Sequence, residues 1–358
     1  MLTVVVFIFI LAVLVLVHEF GHFIAAKKQG VLVEEFGFGY PPRIFGFQIG
    51  ETLYSLNLIP LGGFVKLYGE ASEELANQKK SVPKNRAFIN KKPWQKALII
   101  VAGVLGNFLL GWLLIAYLFT QGVPSPTKQV IVEAVQKNSP AARAGIIPKD
   151  IIEKIIVEKK QYEIKSTADL INLSKKFAGQ SLTFQVLRDG QKKFFEIVPR
   201  KNPPAGQGPL GVVITNFVEK KYPWYQAPFY GLIEAFAITK QILVELLKTL
   251  FLFLTLQKPK TDLSGPIGVA YFTGQVIKFG KNAVLELIAL LSLNLAVINI
   301  FLPFPLLDGG RLVLIIYEWI TRKKVNKTLE KYLNIIGLAF LITIAILVSV
   351  NDIIKIYR

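Results

Sequence analysis

His18-Glu19-Phe20-Gly21-His22 is the stretch of this chain whose residue types and spacing can do chemistry. Positions i and i+4 of a helix share one face a turn apart, so both imidazoles can point at a single ion with Glu19 beside them. This H-E-x-x-H pattern pairs two zinc ligands with a carboxylate that takes a proton from water activated by the metal. These are the only histidines among 358 residues, and the seventeen residues before them carry no charge. Ionisable groups at membrane depth are costly and usually functional. The competing reading, a helix-end histidine pair beside a solvated glutamate, is therefore the weaker one. Cysteine is absent, which excludes thiolate zinc sites and disulfides in any outer domain. With both histidines used, a third protein ligand has to be Asp or Glu.

The elements that must position these groups are membrane helices. At 52% hydrophobic residues with 26 Phe, the chain is too apolar for an ordinary soluble enzyme. The net charge of +18 fits cytoplasmic loops and anionic lipid. No nucleic-acid motif accompanies it, so the expected partner is the lipid bilayer and not a nucleic acid. Residues 1–17 lack a basic n-region and a cleavage site and run straight into the histidine motif, so they read as the start of a first span ending near Ala26. Further spans are expected at 97–119, 284–302 and 332–350. Lys27 and Lys28, the eight Lys/Arg against three Glu in residues 64–96, and Arg311, Arg322, Lys323, Lys324 and Lys327 all mark cytoplasmic ends. Both termini then lie outside, and the histidine motif lies towards the cytoplasmic half. Gly103, Gly106 and Gly111 give the second span a small face, read as a packing signal and not a catalytic one.

Between the spans, residues 31–65 are Gly- and aromatic-rich, too broken to cross the membrane, and read as a membrane-associated β-hairpin. Residues 127–217 turn polar and alternating. Strands are expected at 128–135, 150–157, 181–188 and 191–198, with a short helix opened by Ser139-Pro140-Ala141 and another over 167–178. Asp189-Gly190 is a two-residue hairpin signal. Residues 225–256 carry Glu234, Gln241, Glu245 and Lys248 within a narrow stripe, with Lys240 at its edge. An interfacial helix is preferred there over a span. The chain thus divides into 1–120 (two spans, histidine motif, hairpin and cytoplasmic loop), 121–217 (an outer β-rich domain), 218–283 (interfacial helix and connection) and 284–358 (two spans).

The third span ends in Asn299-Ile300-Phe301-Leu302-Pro303-Phe304-Pro305-Leu306-Leu307-Asp308-Gly309-Gly310. Prolines stop helical hydrogen bonding and glycines allow close approach. The first and third spans run in the same direction, so Asp308 falls on the same side of the membrane as His18 and His22. Taken alone, Asp308 would read as a carboxylate in a helix C-terminal turn.

With these residues in view, nearly the whole chain resembles the site-2 protease family of intramembrane zinc metalloproteases, of the bacterial regulator-of-sigma-E type. Leu307-Asp308-Gly309 matches the family's L-D-G motif, and the resemblance implies Asp308 as third Zn2+ ligand beside His18 and His22, with Glu19 catalytic. Residues 60–66 resemble the family's hairpin segment, residues 102–107 a second-span signature, and Ser264-Gly265-Pro266-Ile267-Gly268 a segment before the third span. Residues 139–152 resemble part of a PDZ domain, with Lys149-Asp150 where Gly-Asp is usual. Gly208 to Gly211 is a weak candidate for its carboxylate-binding loop, a plain turn being the competing reading. The family runs N-x-x-P-x-P-x-L-D-G, whereas Asn299 and Pro303 here are three residues apart. Asn299, Pro303, Pro305, Gly62, Gly63 and Phe64 are carried over as substrate-contacting residues.

The expected protein is a polytopic α-helical inner-membrane protein with about four spans, a membrane-associated β-hairpin and one inserted extracytoplasmic PDZ-like domain. The expected activity is zinc-dependent intramembrane endopeptidase cleavage of single-pass membrane proteins, anti-sigma factors or remnant signal peptides among them, with access limited by the outer domain. The alternatives are a peripheral membrane zinc protease of quality control and a non-catalytic PDZ membrane adaptor. The sequence leaves the oligomeric state open.

Overall fold

The computed structural model describes residues 2–70, 82–158, 160–255, 257, 265–323 and 327–356. Residues 71–81 of the expected cytoplasmic loop, Ser264, and 324–326 of the connection before the fourth span lie outside the described residues. The chain forms two units, Met1–Thr120 with Pro223–Arg358, and Gln121–Tyr222.

The larger unit begins with α1 (Leu2–Lys28), almost wholly apolar up to Val17, after which come His18, Glu19 and His22 and the closing Lys27 and Lys28. A stretch of helix without a polar face belongs in a core or in lipid. β1 (Val33–Ile49) and β2 (Thr52–Leu67) follow as an antiparallel pair turned at Gly50, whose φ of +60° suits a residue without Cβ. Both strands bend. Residues 35–38 of β1 pair on one side with 63–66 and on the other with 53–56, while 43–49 pair with 52–57. Among the described residues this leaves 63–67 as an outer strand. α2 (Pro93–Gln121) opens with proline at its first position, where the missing N–H costs nothing.

The smaller unit contains β3 (Val123–Val135), α3 (Pro140–Ala144), β4 (Ile151–Val157), β5 (Lys160–Glu163), α4 (Thr167–Lys176), β6 (Leu182–Arg188), β7 (Gln191–Ile197) and β8 (Val212–Lys220). Its antiparallel sheet runs β7-β6-β4-β3-β8, with β5 beside β4. Ser139 caps α3, and Ser166 with Asp169 forms a capping box on α4. Asp189 and Gly190 both take positive φ, the turn their dipeptide predicts. Val130, Ile155, Leu170, Leu182 and Phe184 are fully buried, each worth about 1.5–3 kcal/mol in area terms. Lys149 has φ +74°, a left-handed backbone that suits glycine better than a residue with a Cβ. The neighbouring Asp150 is buried and receives two hydrogen bonds from Arg188, both 2.7 Å.

The larger unit resumes with α5 (Ala227–Leu254), α6 (Pro266–Val276), α7 (Lys281–Phe301), α8 (Asp308–Thr321) and α9 (Lys327–Ile356). Helices α1, α2 and α7 and residues Tyr332–Lys355 of α9 are long and apolar enough to span a membrane. The α5 helix is held along its first half. Trp112 Nε1–H donates to Pro228 O at 2.8 Å, and Ala235 packs against Ile115, Ala289 and Leu293. The short α6 is capped from another element, because Asp352 Oδ2 on α9 accepts the N–H groups of Gly265 (2.9 Å) and Gly268 (2.8 Å).

Candidate metal centre

The helical pitch of α1 puts His18 and His22 on one face, and their rings meet edge to face, 4.7 Å between centroids. Helix α2 fixes their depth. A Cβ on Gly21 would lie 2.7 Å from Ala102 C, and one on Gly106 would lie 2.8 Å from Val17 O. Lipid tails are as apolar as Leu, so van der Waals contact through small residues is what holds such helices together. Gly103 does more than its predicted packing role. A Cβ there would stand 2.5 Å from Cε1 of His22 and closer still to Nε2. The His22 ring therefore rests on the bare backbone of α2, and His22 Nδ1–H donates to Ile99 O at 2.8 Å.

Asp308 arrives through the turn after α7. Contrary to the reading of Asp308 alone, it begins a helix, α8, with Leu307 as N-cap. Gly309 and Gly310 let that helix start against its own approach. A Cβ on Gly309 would lie 2.7 Å from Ile300 O, and one on Gly310 would lie 2.6 Å from Phe304 C. Leu306 takes φ +78°, a left-handed residue without glycine's freedom, which costs on the order of 1–3 kcal/mol. Two ion pairs hold α8 in place: Lys96 with Glu318 at 3.1 Å and Arg311 with Glu70 at 2.6 Å.

The result is three buried donor atoms facing one point. His18 Nε2 and His22 Nε2 are 3.2 Å apart, and Asp308 Oδ2 is 3.1 Å from the first and 3.3 Å from the second. Oδ2 is buried and, among the described residues, faces only these two imidazole nitrogens. Tetrahedral zinc with bonds of about 2.0–2.1 Å needs donors about 3.3 Å apart. The cluster fits that ion without rearrangement.

Glu19 is half-buried beside the cluster, and no hydrogen bond ties its carboxylate down among the described residues. A Cβ on Gly63 would lie 3.1 Å from Glu19 Cγ, so the outer strand of β2 runs directly past this glutamate. Gly62, at φ +116°, packs on the Tyr40 ring, and the Phe64 ring covers Gly37. Pro303 and Pro305 line a cavity of about 550 Å³ with Gly310 and Arg311. Asn299 is buried near the end of α7, and its carbonyl oxygen, 3.0 Å from a Cβ on Gly309, faces the start of α8. α7 stays regular through Phe301, so no helical bulge absorbs the extra residue before Pro303.

The sequence offered Asn107 only as the last residue of the 102–107 second-span signature, with no role at the site. It is wholly buried on α2, with its amide 3.4 Å from His18 Nδ1. The available signal was a polar residue inside an apolar span, one turn beyond Gly103.

The sequence model of peptidase family M50 matches residues 6–344. A regulator of sigma-W protease from Bacillus subtilis is 29% identical, over 99% of both chains. A putative zinc metalloprotease of Staphylococcus aureus is also 29% identical, over 99% of this chain and 98% of its own. One from Clostridium perfringens is 33% identical over 95% of both.

Proposed function

This chain belongs to peptidase family M50 and is a zinc metalloprotease with several membrane-spanning helices, and on that premise we propose that it cuts peptide bonds within or beside the transmembrane segments of other membrane proteins. In this reading His18, His22 and Asp308 hold the zinc and Glu19 moves the proton. The observation that carries it is the mutual spacing of three buried donor atoms at 3.1, 3.2 and 3.3 Å.

Zinc bound there supplies Lewis acidity towards the scissile carbonyl and the attacking water. Glu19, free of competing hydrogen bonds among the described residues, accepts the proton of the water and passes it to the departing amine. A helical substrate hides its peptide bonds in its own hydrogen bonds, so it must unwind before it is cut. The outer strand, 63–67, offers backbone groups with which an unwound segment pairs. Gly62, Gly63 and Phe64 belong to this contact, and the absence of a side chain at Gly63 is what brings the strand to Glu19. Asn299, Pro303 and Pro305 are assigned to substrate contact next to Asp308.

The basic residues at the helix ends support an orientation with both termini and the 121–222 unit outside the cytoplasm. A cavity of about 700 Å³ between α4 and β8, lined by Leu170, Ser174, Gly208, Leu210 and Gly211, supports a PDZ-like, peptide-binding reading of that unit, one that limits which substrates reach the site. The substrates are single-pass membrane proteins. The relative named regulator of sigma-W protease makes a sigma-factor regulator one candidate, and remnant signal peptides are another.

The test is Glu19→Gln in the full-length protein. It should bind one zinc per chain and cut no substrate, because the glutamate moves protons and is not a ligand. Stoichiometric zinc with near-normal turnover would overturn the assignment.

A further inference from the structure

We propose that Asn107 is a positioning residue for the metal centre: its side-chain Oδ1 accepts the Nδ1–H of His18, fixing the tautomer and plane in which that imidazole presents Nε2. The proposal rests on the zinc reading above and concerns a residue outside the ligand set.

Both histidines turn Nε2 towards Asp308. A neutral imidazole that gives Nε2 to a metal carries its hydrogen on Nδ1, and that hydrogen needs an acceptor. His22 has one in Ile99 O at 2.8 Å. The polar group facing His18 Nδ1 is the Asn107 amide, with the nitrogen Nδ2 placed nearest at 3.4 Å and the oxygen Oδ1 buried without a partner among the described residues. Nitrogen and oxygen of such an amide are exchangeable assignments. Either orientation leaves one end of the amide without a protein partner, so counting hydrogen bonds does not choose between them. The chemistry of His18 does. With nitrogen facing Nδ1, the imidazole hydrogen would sit on Nε2 and block the ligand position. With oxygen facing Nδ1, Nε2 is free.

The position is held from a third helix. Ser292 Oγ–H on α7 donates to the Asn107 backbone carbonyl at 2.8 Å. The same α7 leads into the turn that delivers Asp308. One residue of α2 thus touches the helix bearing the two histidines and the helix leading to the carboxylate.

The experiment compares full-length wild-type protein with Asn107→Leu, which keeps the branching at Cγ and removes the acceptor, and Asn107→Asp, which keeps the acceptor. Zinc affinity is read by competition with a chelator, ligand geometry by the visible absorption of the cobalt-substituted protein, and folding by thermal melting of the metal-free forms. Asn107→Leu should bind zinc 10–100-fold more weakly, with an altered cobalt spectrum. Asn107→Asp should keep wild-type affinity or exceed it. If both variants lose affinity alike, or if Asn107→Leu binds as wild type does, the proposal is overturned while the zinc site stands. A wild-type protein that takes up no zinc overturns the metal reading and this proposal together.

Discussion

Replacing Gly103 by Ala adds one methyl group to α2, at the surface on which a candidate zinc ligand lies. The ideal Cβ stands 2.5 Å from Cε1 and 2.8 Å from Cδ2 of His22, whereas carbon atoms in contact settle about 3.5–4.0 Å apart. The ring must therefore retreat by about 1 Å. It has little freedom to do so, because Nδ1 is bonded to Ile99 O at 2.8 Å. The helices cannot separate cheaply either, since Gly21 and Gly106 bring the two backbones together on both sides of the ring. Metal sites tolerate about 0.2 Å in ligand distance. The displacement exceeds that several-fold, so zinc affinity should fall by at least the roughly 10–100-fold seen when only an outer partner is lost. The control is Gly111→Ala on the same helix, whose Cβ would meet the Leu293 side chain at 2.7 Å. Overpacking there should cost about 1–3 kcal/mol of stability and leave zinc binding intact. Chelator competition on both purified proteins is the assay. Wild-type zinc affinity in Gly103→Ala would refute the idea that the glycine supports His22.

Two further outcomes are expected. Single cysteines placed in this cysteine-free chain at exposed positions of 121–222 should react with an impermeant reagent from outside intact cells, and those in 311–323 only after the membrane is opened; the opposite pattern would reverse the topology. Arg188→Ala leaves the buried Asp150 carboxylate without its bidentate partner, and should destabilise the smaller unit by roughly 3 kcal/mol, read as faster hydrogen exchange in β3, β4 and β6 with little change in zinc binding.

Much of this protein could be read from residue order because the signals are local. An uncharged run of seventeen residues ahead of His18 can only be satisfied in lipid or a deep core, and it is helical through Lys28. The i, i+4 spacing of His18 and His22 fixes a common face in any helix. Asp189-Gly190 accepts the positive φ values of a tight hairpin, and one forms there. The α8 helix was also legible, in the amphipathic run after Asp308, but the basic residues at its far end made the whole stretch read as a connection.

Other features had no local signature. Which strand lies at the edge of the β1–β2 sheet follows from residues 35–38 pairing on both sides at once, and no alternation of side chains encodes that. Gly103 looked like any small residue on a packing face. It became the support of His22 only because α1 and α2 cross there at backbone contact. Asn107 and Ile99 face the outer nitrogens of two histidines more than 75 positions away in sequence. The residue types of the candidate metal centre were thus set by the sequence, since ligand chemistry and helical pitch are properties of a few neighbouring residues. The distances of 3.1 to 3.3 Å between Asp308 and the histidines were decided by the tertiary structure. They depend on how closely three helices and one proline turn approach, and glycines and backbone carbonyls far apart in the chain set that approach.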